Sequence, residues 1–351
     1  MQKTIRLVLA LVILTGLLLS ACAPAAKSAD PAPAAAPAAT YKLRIAQQFG
    51  LGYASLTIAQ EKKLFEKYLP GLQVEWLTLG SGGAINEAFV AGQVDVAVMG
   101  IPPFLIGWDK DIPWKVAAGI CVMPLSMQTY RDDIKSLKDF KEGDKIAYPA
   151  PGSIQHILLS MASEKELGSA TALDNYGVAM AHPDAASALI SKKDIAAHFT
   201  APPYNFQELS TAGIHQVVSG TDAFGTDFSF LVAVASKELY EKNPQVYSAF
   251  VMGLTDATAF INENPEEAAK ILAPTFKLDE ATTLKYLTWP GMNYTTTPYG
   301  LMGFSDFMAK AGYIKKVPQK LSDIAWYNVV ATVGDQQGDT PSPLEKLQNR
   351  P

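Results

Sequence analysis

One stretch, Leu72–Phe104 (LQVEWLTLGSGGAINEAFVAGQVDVAVMGIPPF), restricts this chain more than any other, because its pattern passes from strand to helix and does so twice. Leu72–Leu79 is a short apolar run rich in β-favouring residues and predicts a buried strand. It stops at Gly80-Ser81-Gly82-Gly83, after which Ala84–Ala91 sets Ile85, Ala88 and Phe89 at i, i+3 and i+4, the spacing of a helix with one buried face. Gly92 closes that helix, Val94–Met99 predicts a second strand, and Gly100 leads into a helix opened by Ile101-Pro102-Pro103, where proline's missing N–H costs little. In a parallel α/β sheet both turns lie at the carboxyl ends of their strands. Both helices then aim free N–H groups and positive dipole ends into one crevice. Such a crevice suits a small polar or anionic molecule held largely by backbone; the alternative is that these glycines only permit tight turns.

The unit recurs. Leu43–Ala46 predicts a strand followed by the loop Gln47–Gly52 and a helix capped by Ser55 and running to Tyr68. Trp114–Val122 predicts another strand. Lys145–Tyr148 restarts the pattern with the turn Pro149–Ser153 and a helix Ile154–Leu167, and Ile195–Phe199 leads through Thr200–Pro203 into a further helix. Tyr176–Met180 and His215–Val218 complete a second parallel sheet, and Phe228–Ala235 predicts a strand returning to the first. From Glu238 onward the chain reads as mainly helical. The expectation is an α/β fold of two lobes, each a mostly parallel sheet flanked by helices: 41–128 and 226–335 form lobe 1, and 129–225 forms lobe 2. Hinges are expected near Ser126–Tyr130 and Gly225–Phe228.

Five turns therefore face one cleft. The candidate ligand contacts are Gln47, Phe49, Gly52 and Tyr53; Ser81, Gly82 and Gly83; Gly100, Ile101 and Pro102; Gly152, Ser153 and Ile154; Thr200 and Pro202; and, at the crossings, Ser126, Thr226 and Phe228. None of the turns contains Lys or Arg, so no charge-assisted clamp for a strong oxyanion is predicted. Aromatic residues near them favour a ligand with an organic body.

The first residues carry an address. Met1–Ala21 has a short basic start (Lys3, Arg6) and an apolar core too short to span a membrane comfortably, which predicts a secretion signal. Its end, Leu19-Ser20-Ala21-Cys22, resembles the bacterial lipobox, which implies cleavage before Cys22 and acylation of its sulfur. Residues 22–40, mostly Ala and Pro, predict an extended tether, of which the 18 residues after Cys22 reach roughly 56 Å at about 3.1 Å per residue. Losing the signal takes the formal net charge from −5 to −7, two basic side chains and no acidic one being removed, and a body this acidic argues against nucleic acid as partner. Residues 336–351 predict a flexible tail. Cys121 lies in an apolar run and predicts a buried thiol.

Enzymatic chemistries find little support. Gly50-Leu51-Gly52-Tyr53-Ala54-Ser55 approaches a dinucleotide fingerprint but ends in Ser, and the next strand ends Thr78-Leu79 with no acidic residue for a ribose. His156, His182, His198 and His215 include no HExxH pair; His156 and His182 are cleft candidates, with a satisfied structural histidine the alternative reading for each. There is no GxSxG and no CxxC, so neither a nucleophile nor a redox centre is indicated, and no metal or cofactor is expected.

With those pieces in place, 41 to about 316 resembles the substrate-binding proteins of nitrate/sulfonate/taurine-type ABC importers. The matching pieces are Leu43-Arg44-Ile45-Ala46, Gly82-Gly83-Ala84, Gly92-Gln93-Val94-Asp95-Val96-Ala97, Met99-Gly100-Ile101-Pro102-Pro103-Phe104, Lys145-Ile146-Ala147 leading to Pro151-Gly152-Ser153, and Asp194-Ile195-Ala196-Ala197 leading to Pro202. The resemblance implies the two-lobed type II periplasmic-binding architecture, shared with thiamine-pyrimidine-binding relatives. It further implies a small organic ligand between the lobes, delivery to an ABC permease and its ATPase, and no catalysis. Two alternatives share the fold: a receptor feeding a membrane sensor, and a pyrimidine-synthase-like enzyme, against which the export signal argues.

Overall fold

The computed structural model describes residues 41–334. The expected signal, Cys22, the 22–40 tether and the tail at 336–351 lie outside them.

Eleven strands fall into two sheets among the described residues. The first contains β1 (Tyr41–Gln47), β2 (Leu72–Thr78), β3 (Val96–Gly100), β4 (Trp114–Val122), β10 (Ser229–Ser236) and β11 (Asn293–Tyr294), in the order β11-β4-β10-β3-β1-β2. β1 runs parallel to β2 and β3, while β10 is antiparallel to β3 and β4, Val232 facing Met99 and Gly119. The second contains β5 (Ser126–Thr129), β6 (Ile146–Tyr148), β7 (Gly177–Ala179), β8 (Ala197–Thr200) and β9 (His215–Ser219), in the order β7-β6-β8-β5-β9. Here β6 is parallel to β7 and β8, and β5 is antiparallel to β8 and β9. Apart from the short edge strand β11, the two orders are the same, each with one strand inserted from the far side of a crossing. The molecule is a two-lobed α/β fold with helices on the sheet faces.

Local chemistry accounts for the elements that build the crevice. Ser81 caps the helix Gly82–Val90, its Oγ accepting from Ala84 N at 3.2 Å. Ser153 does the same for Ile154–Leu167, accepting from His156 N at 3.3 Å, and Gly168 ends that helix at φ 78°, open to glycine without strain. Prolines 102 and 103 sit in the first turn of Ile101–Asp109. Below the first sheet, Phe89 and Phe104 pack on Trp114 with ring centroids 4.6 and 6.1 Å away. Arg44 bridges β1 to the start of β3, donating from N and Nε to Asp95 Oδ2, 2.9 Å each.

Several expectations need correction. The helix from Ser55 to Tyr68 is broken: Ala54–Glu61 and Leu64–Tyr68 are separated by Lys63 at φ 52°. Ser55 caps nothing; it lies buried inside the first of these helices, accepting a hydrogen bond from Thr258 at 3.4 Å. The residues expected to hinge at Ser126–Tyr130 are mostly β5, paired on both sides, so the chain crosses earlier, at residues 123–125. It returns through residues 220–228, which include the short helix Gly220–Phe224.

Candidate ligand-binding cleft

The carboxyl ends of β1 and β3 in one lobe face those of β6 and β8 in the other. Where they meet, the lobes touch: Leu51 N donates to Pro202 O at 3.0 Å. A Cβ added at Gly100 would stand 3.1 Å from Ile154 Cβ, so glycine sets how near these backbones come. Between the lobes lies a small recess of about 20 Å³, near the volume of one water, lined by Gln48, Phe49, Tyr53, Gly82, Gly100, Pro103, Pro149, Ser153, Ile154, Gln155, His182, Phe230 and Leu231. Gln48, Phe49 and Tyr53 also line an adjoining chamber of about 820 Å³, walled further by Gln47, Thr57, Thr78, Asp184, Ser187, Tyr204, Gln207, Phe276 and Lys277 among others. That volume lies in the range of small-molecule sites. A separate cavity of about 230 Å³, with Trp108, Trp114, Lys237, Lys316 and Trp326, sits at the opposite end of β4, away from the strand ends that form the crevice.

Of the residues singled out from sequence, Gln47, Phe49, Tyr53, Gly82, Gly100, Ser153 and Ile154 fall on these walls. Gln47 Oε1 is buried without a hydrogen-bond partner, an acceptor a ligand donor would satisfy. The others lie elsewhere, for identifiable reasons. Gly52 is buried against Phe230 and Leu231, where a Cβ would come within 2.7 Å of Leu231 Cδ1. Ser81 is spent on its cap, and Gly83 faces solvent. Ile101 and Pro102 are buried in the first lobe. Gly152, at φ 78°, packs on Ile106 of the other lobe, and Pro202 supplies the inter-lobe carbonyl. Ser126 is buried in β5 beside Asn205 Nδ2 at 3.3 Å. Phe228 packs on Phe224 and Phe304, and Thr226 lies outside both chambers. Thr200 is one layer back, its Oγ1 3.0 Å from His182 Nδ1.

Tyr204, an aromatic beside the Thr200–Pro203 turn, and His182, one of the two histidine cleft candidates, do line the site, whereas sequence reasoning missed Gln155, Lys277 and a network behind the wall. Lys277 puts a cation on the chamber although no strand-end turn holds one, because it comes from the left-handed C-cap of the helix Pro265–Phe276. His182 Nε2 lies 3.0 Å from Gln155 Nε2, and His182 Nδ1 lies 2.9 Å from His198 Nε2. His198 Nδ1 is 2.5 Å from Glu208 Oε1. With its amide turned so that donors meet acceptors, Gln128 Nε2 donates to Glu208 Oε2 at 2.9 Å. Tyr204 stacks on His182 with centroids 5.7 Å apart. Glu208 and His198 are wholly buried; burial pushes the carboxyl up to about 9 and the imidazole down to about 3, both in the direction that leaves the pair uncharged. Burial, with His198 beside it, also holds His182 well below its ordinary value. His156 is instead a satisfied structural residue, accepting from Gly152 N at 3.0 Å with Nε2 3.3 Å from Asp174.

Comparison with known proteins agrees with this architecture. Residues 36–274 match the sequence profile described as the NMT1-like family. Among solved structures, the alkanesulfonate-binding protein SsuA from Xanthomonas axonopodis pv. citri bound to MOPS is 20% identical with a TM-score of 0.68, the match covering 84% of this chain and 99% of that one. The aliphatic sulphonate-binding protein SsuA of Escherichia coli is 21% identical with a TM-score of 0.63, covering 83% and 99%. The periplasmic nitrate-binding protein NrtA from Synechocystis PCC 6803 is 16% identical with a TM-score of 0.64, covering 85% and 92%. At these identities the likeness is one of fold. No curated protein matches the chain.

Proposed function

The chain belongs to the NMT1-like family, and we propose that it is an extracytoplasmic solute-binding protein that closes two lobes on a small organic molecule and passes it to an ABC permease. The observation that carries this reading is the chamber of about 820 Å³ at the facing strand ends, lined by Phe49, Tyr53, Tyr204 and Phe276 with a few polar groups. Nitrate, the ligand of one structural relative, would leave most of that space empty; an organic sulfonate, the ligand class of two others, would fill more of it. Gln48, Ser153, Gln155 and His182 at the recess would meet a polar end of the ligand, and the aromatic chamber its organic tail. A ligand that contacts both lobes only when they meet shifts an existing open–closed equilibrium, and no bond need be made or broken. The lobes are taken as residues 41–125 with 226–335, and 126–225, hinging at the two crossings. The signal at Met1–Ala21 and the lipobox cysteine support export and anchoring through an acylated Cys22. Among the described residues no helix is long and apolar enough to cross a membrane.

A thermal-shift series on residues 40–351 with alkane- and arylsulfonates, taurine, aromatic carboxylates, thiamine pyrimidines, nitrate and bicarbonate tests the reading. A ligand at 1,000 times its Kd adds about 4 kcal/mol, worth several degrees in Tm. A shift with one organic class is the expected result; a shift with nitrate or bicarbonate alone would overturn the organic-ligand reading.

A further inference from the structure

We propose that Glu208, His198 and His182 form a proton relay that decides whether Gln155 offers the bound molecule a hydrogen-bond donor or an acceptor. The inference rests on the cleft being the ligand site. Gln155 and His182 both line the recess, while His198 and Glu208 lie buried behind them, each joined to the next at 2.5 to 3.0 Å. Gln155 itself is only 2% exposed, and beyond His182 its amide has no partner among the described residues.

The chain of contacts permits two hydrogen-bond directions. In one, the Glu208 carboxyl donates O–H to His198 Nδ1, His198 Nε2–H donates to His182 Nδ1, and His182 Nε2–H donates to the Gln155 carbonyl. This arrangement turns the Gln155 amide over from the placement in which its nitrogen lies toward His182, so that the NH2 faces the recess. In the other, the Glu208 carboxylate accepts from His198 Nδ1–H, His198 Nε2 accepts from His182 Nδ1–H, and His182 Nε2 accepts from the Gln155 NH2. The Gln155 carbonyl then faces the recess. The first arrangement holds one proton more than the second and is neutral; passing between them releases that proton to solvent and leaves one buried negative charge. A ligand oxyanion or carbonyl favours the first on both counts, and a ligand ammonium favours the second.

Burial selects between them. Glu208 has no cationic side chain bonded to it, Gln128 being its other partner, so an uncharged carboxyl avoids stranding a charge out of water. The titratable groups around the relay do not change this. Tyr204 on His182 and Tyr53 across the recess are neutral phenols, held above their ordinary range by burial. Tyr148 on β6 is likewise raised, His156 is taken up by Gly152 and Asp174, and His215 on β9 bonds the Ile134 carbonyl. Asp184 and Lys277 stand on the outer chamber wall and not on the recess. The recess therefore offers N–H donors at neutral pH and takes the oxyanion or carbonyl end of its ligand.

The test uses the full chain with ¹⁵N-labelled histidine, read from pH 6 to pH 10 with and without propanesulfonate or propylamine, beside a Glu208→Gln variant. Gln at 208, its carbonyl oxygen accepting from Gln128 Nε2, keeps its NH2 toward His198 at every pH. The expected result is Nε2–H on both rings at pH 7, moving to Nδ1–H above about pH 9 in the native chain and never in E208Q. Propanesulfonate affinity should fall about tenfold per pH unit above that point in the native chain and stay level in E208Q. Nδ1–H on either ring at pH 7, or the same pH profile in both proteins, would overturn the relay. The predicted tautomers with propylamine bound in preference to propanesulfonate at pH 7 would overturn its control of Gln155. The predicted tautomers with neither probe bound would support the relay and count instead against the sulfonate reading of the cleft.

Discussion

In the first lobe the central strands β3 and β10 read VAVMG and SFLVAVAS and are buried along their whole length. In the second, the strands at the matching places, β8 and β5, read AHFT and SMQT and are just as buried. The buried polar side chains of the first lobe are hydroxyls: Ser55, Thr57, Ser229, Ser236, Thr258, Thr283 and Ser305. Those of the second include His156, His182, His198 and Glu208, with the amides of Gln128, Gln155 and Asn205. One topology thus serves two purposes. The first lobe supplies a stiff apolar wall whose strength comes from packing, and the second holds a hydrogen-bonded interior whose arrangement depends on where protons sit. A two-lobed receptor can in this way separate the work of holding shape from that of choosing polarity.

Three measurements would sharpen or break that contrast. Phe104, wholly buried against Trp114, should be costly to remove: Phe104→Ala is expected to lose about 3–5 kcal/mol in urea unfolding. In the second lobe Leu189 sits in a small separate cluster with Ala147, Ala185, Ile195 and Ile214, so Leu189→Ala should fall near the bottom of the range for such changes, about 2 kcal/mol. Equal losses would show that both lobes rest on packing alike. The next effect depends on pH. Glu208 keeps its proton to about 9 when folded and releases it near 4.5 when unfolded, so the folded chain binds an extra proton between those values. Below about pH 6.5 the buried neutral His198 and His182 contribute the opposite slope, so from about 6.5 to 9 stability should fall as pH rises, by up to about 1.4 kcal/mol per unit, and Glu208→Gln should remove that fall. A variant that tracks the native chain at every pH would mean that Glu208 is ionised and paired with a charged His198. The smallest effect belongs to the exposed pair Lys42–Glu75, 2.8 Å apart: Lys42→Ala should change Tm-derived stability by less than about 0.5 kcal/mol.

What sequence alone reveals follows the same division. Trp114–Val122 and Ile154–Leu167 have the bounds expected of them, because an unbroken apolar run and a Ser cap with a closing Gly are local signals. The return of β10 to the first sheet was legible from Phe228–Ala235 for the same reason. β5 was not, since Ser126, Gln128 and Thr129 read as a polar connector until their partners across two strands are seen. The break at Lys63 has no Gly or Pro to announce it. Of the cleft, the backbone turns could be read and the relay could not. His182, His198 and Glu208 come from a helix start, a strand and a helix end, and only packing between those elements joins them.

The inserted strands also order events in time. All five strands of the second sheet lie within residues 126–219, so that lobe has every strand it needs as soon as they are free of the machinery that makes or threads the chain. The first sheet cannot join β3 to β4 until β10, residues 229–236, arrives to lie between them. A chain that emerges N-terminus first therefore presents its first lobe as an unfinished sheet until more than half its length is out.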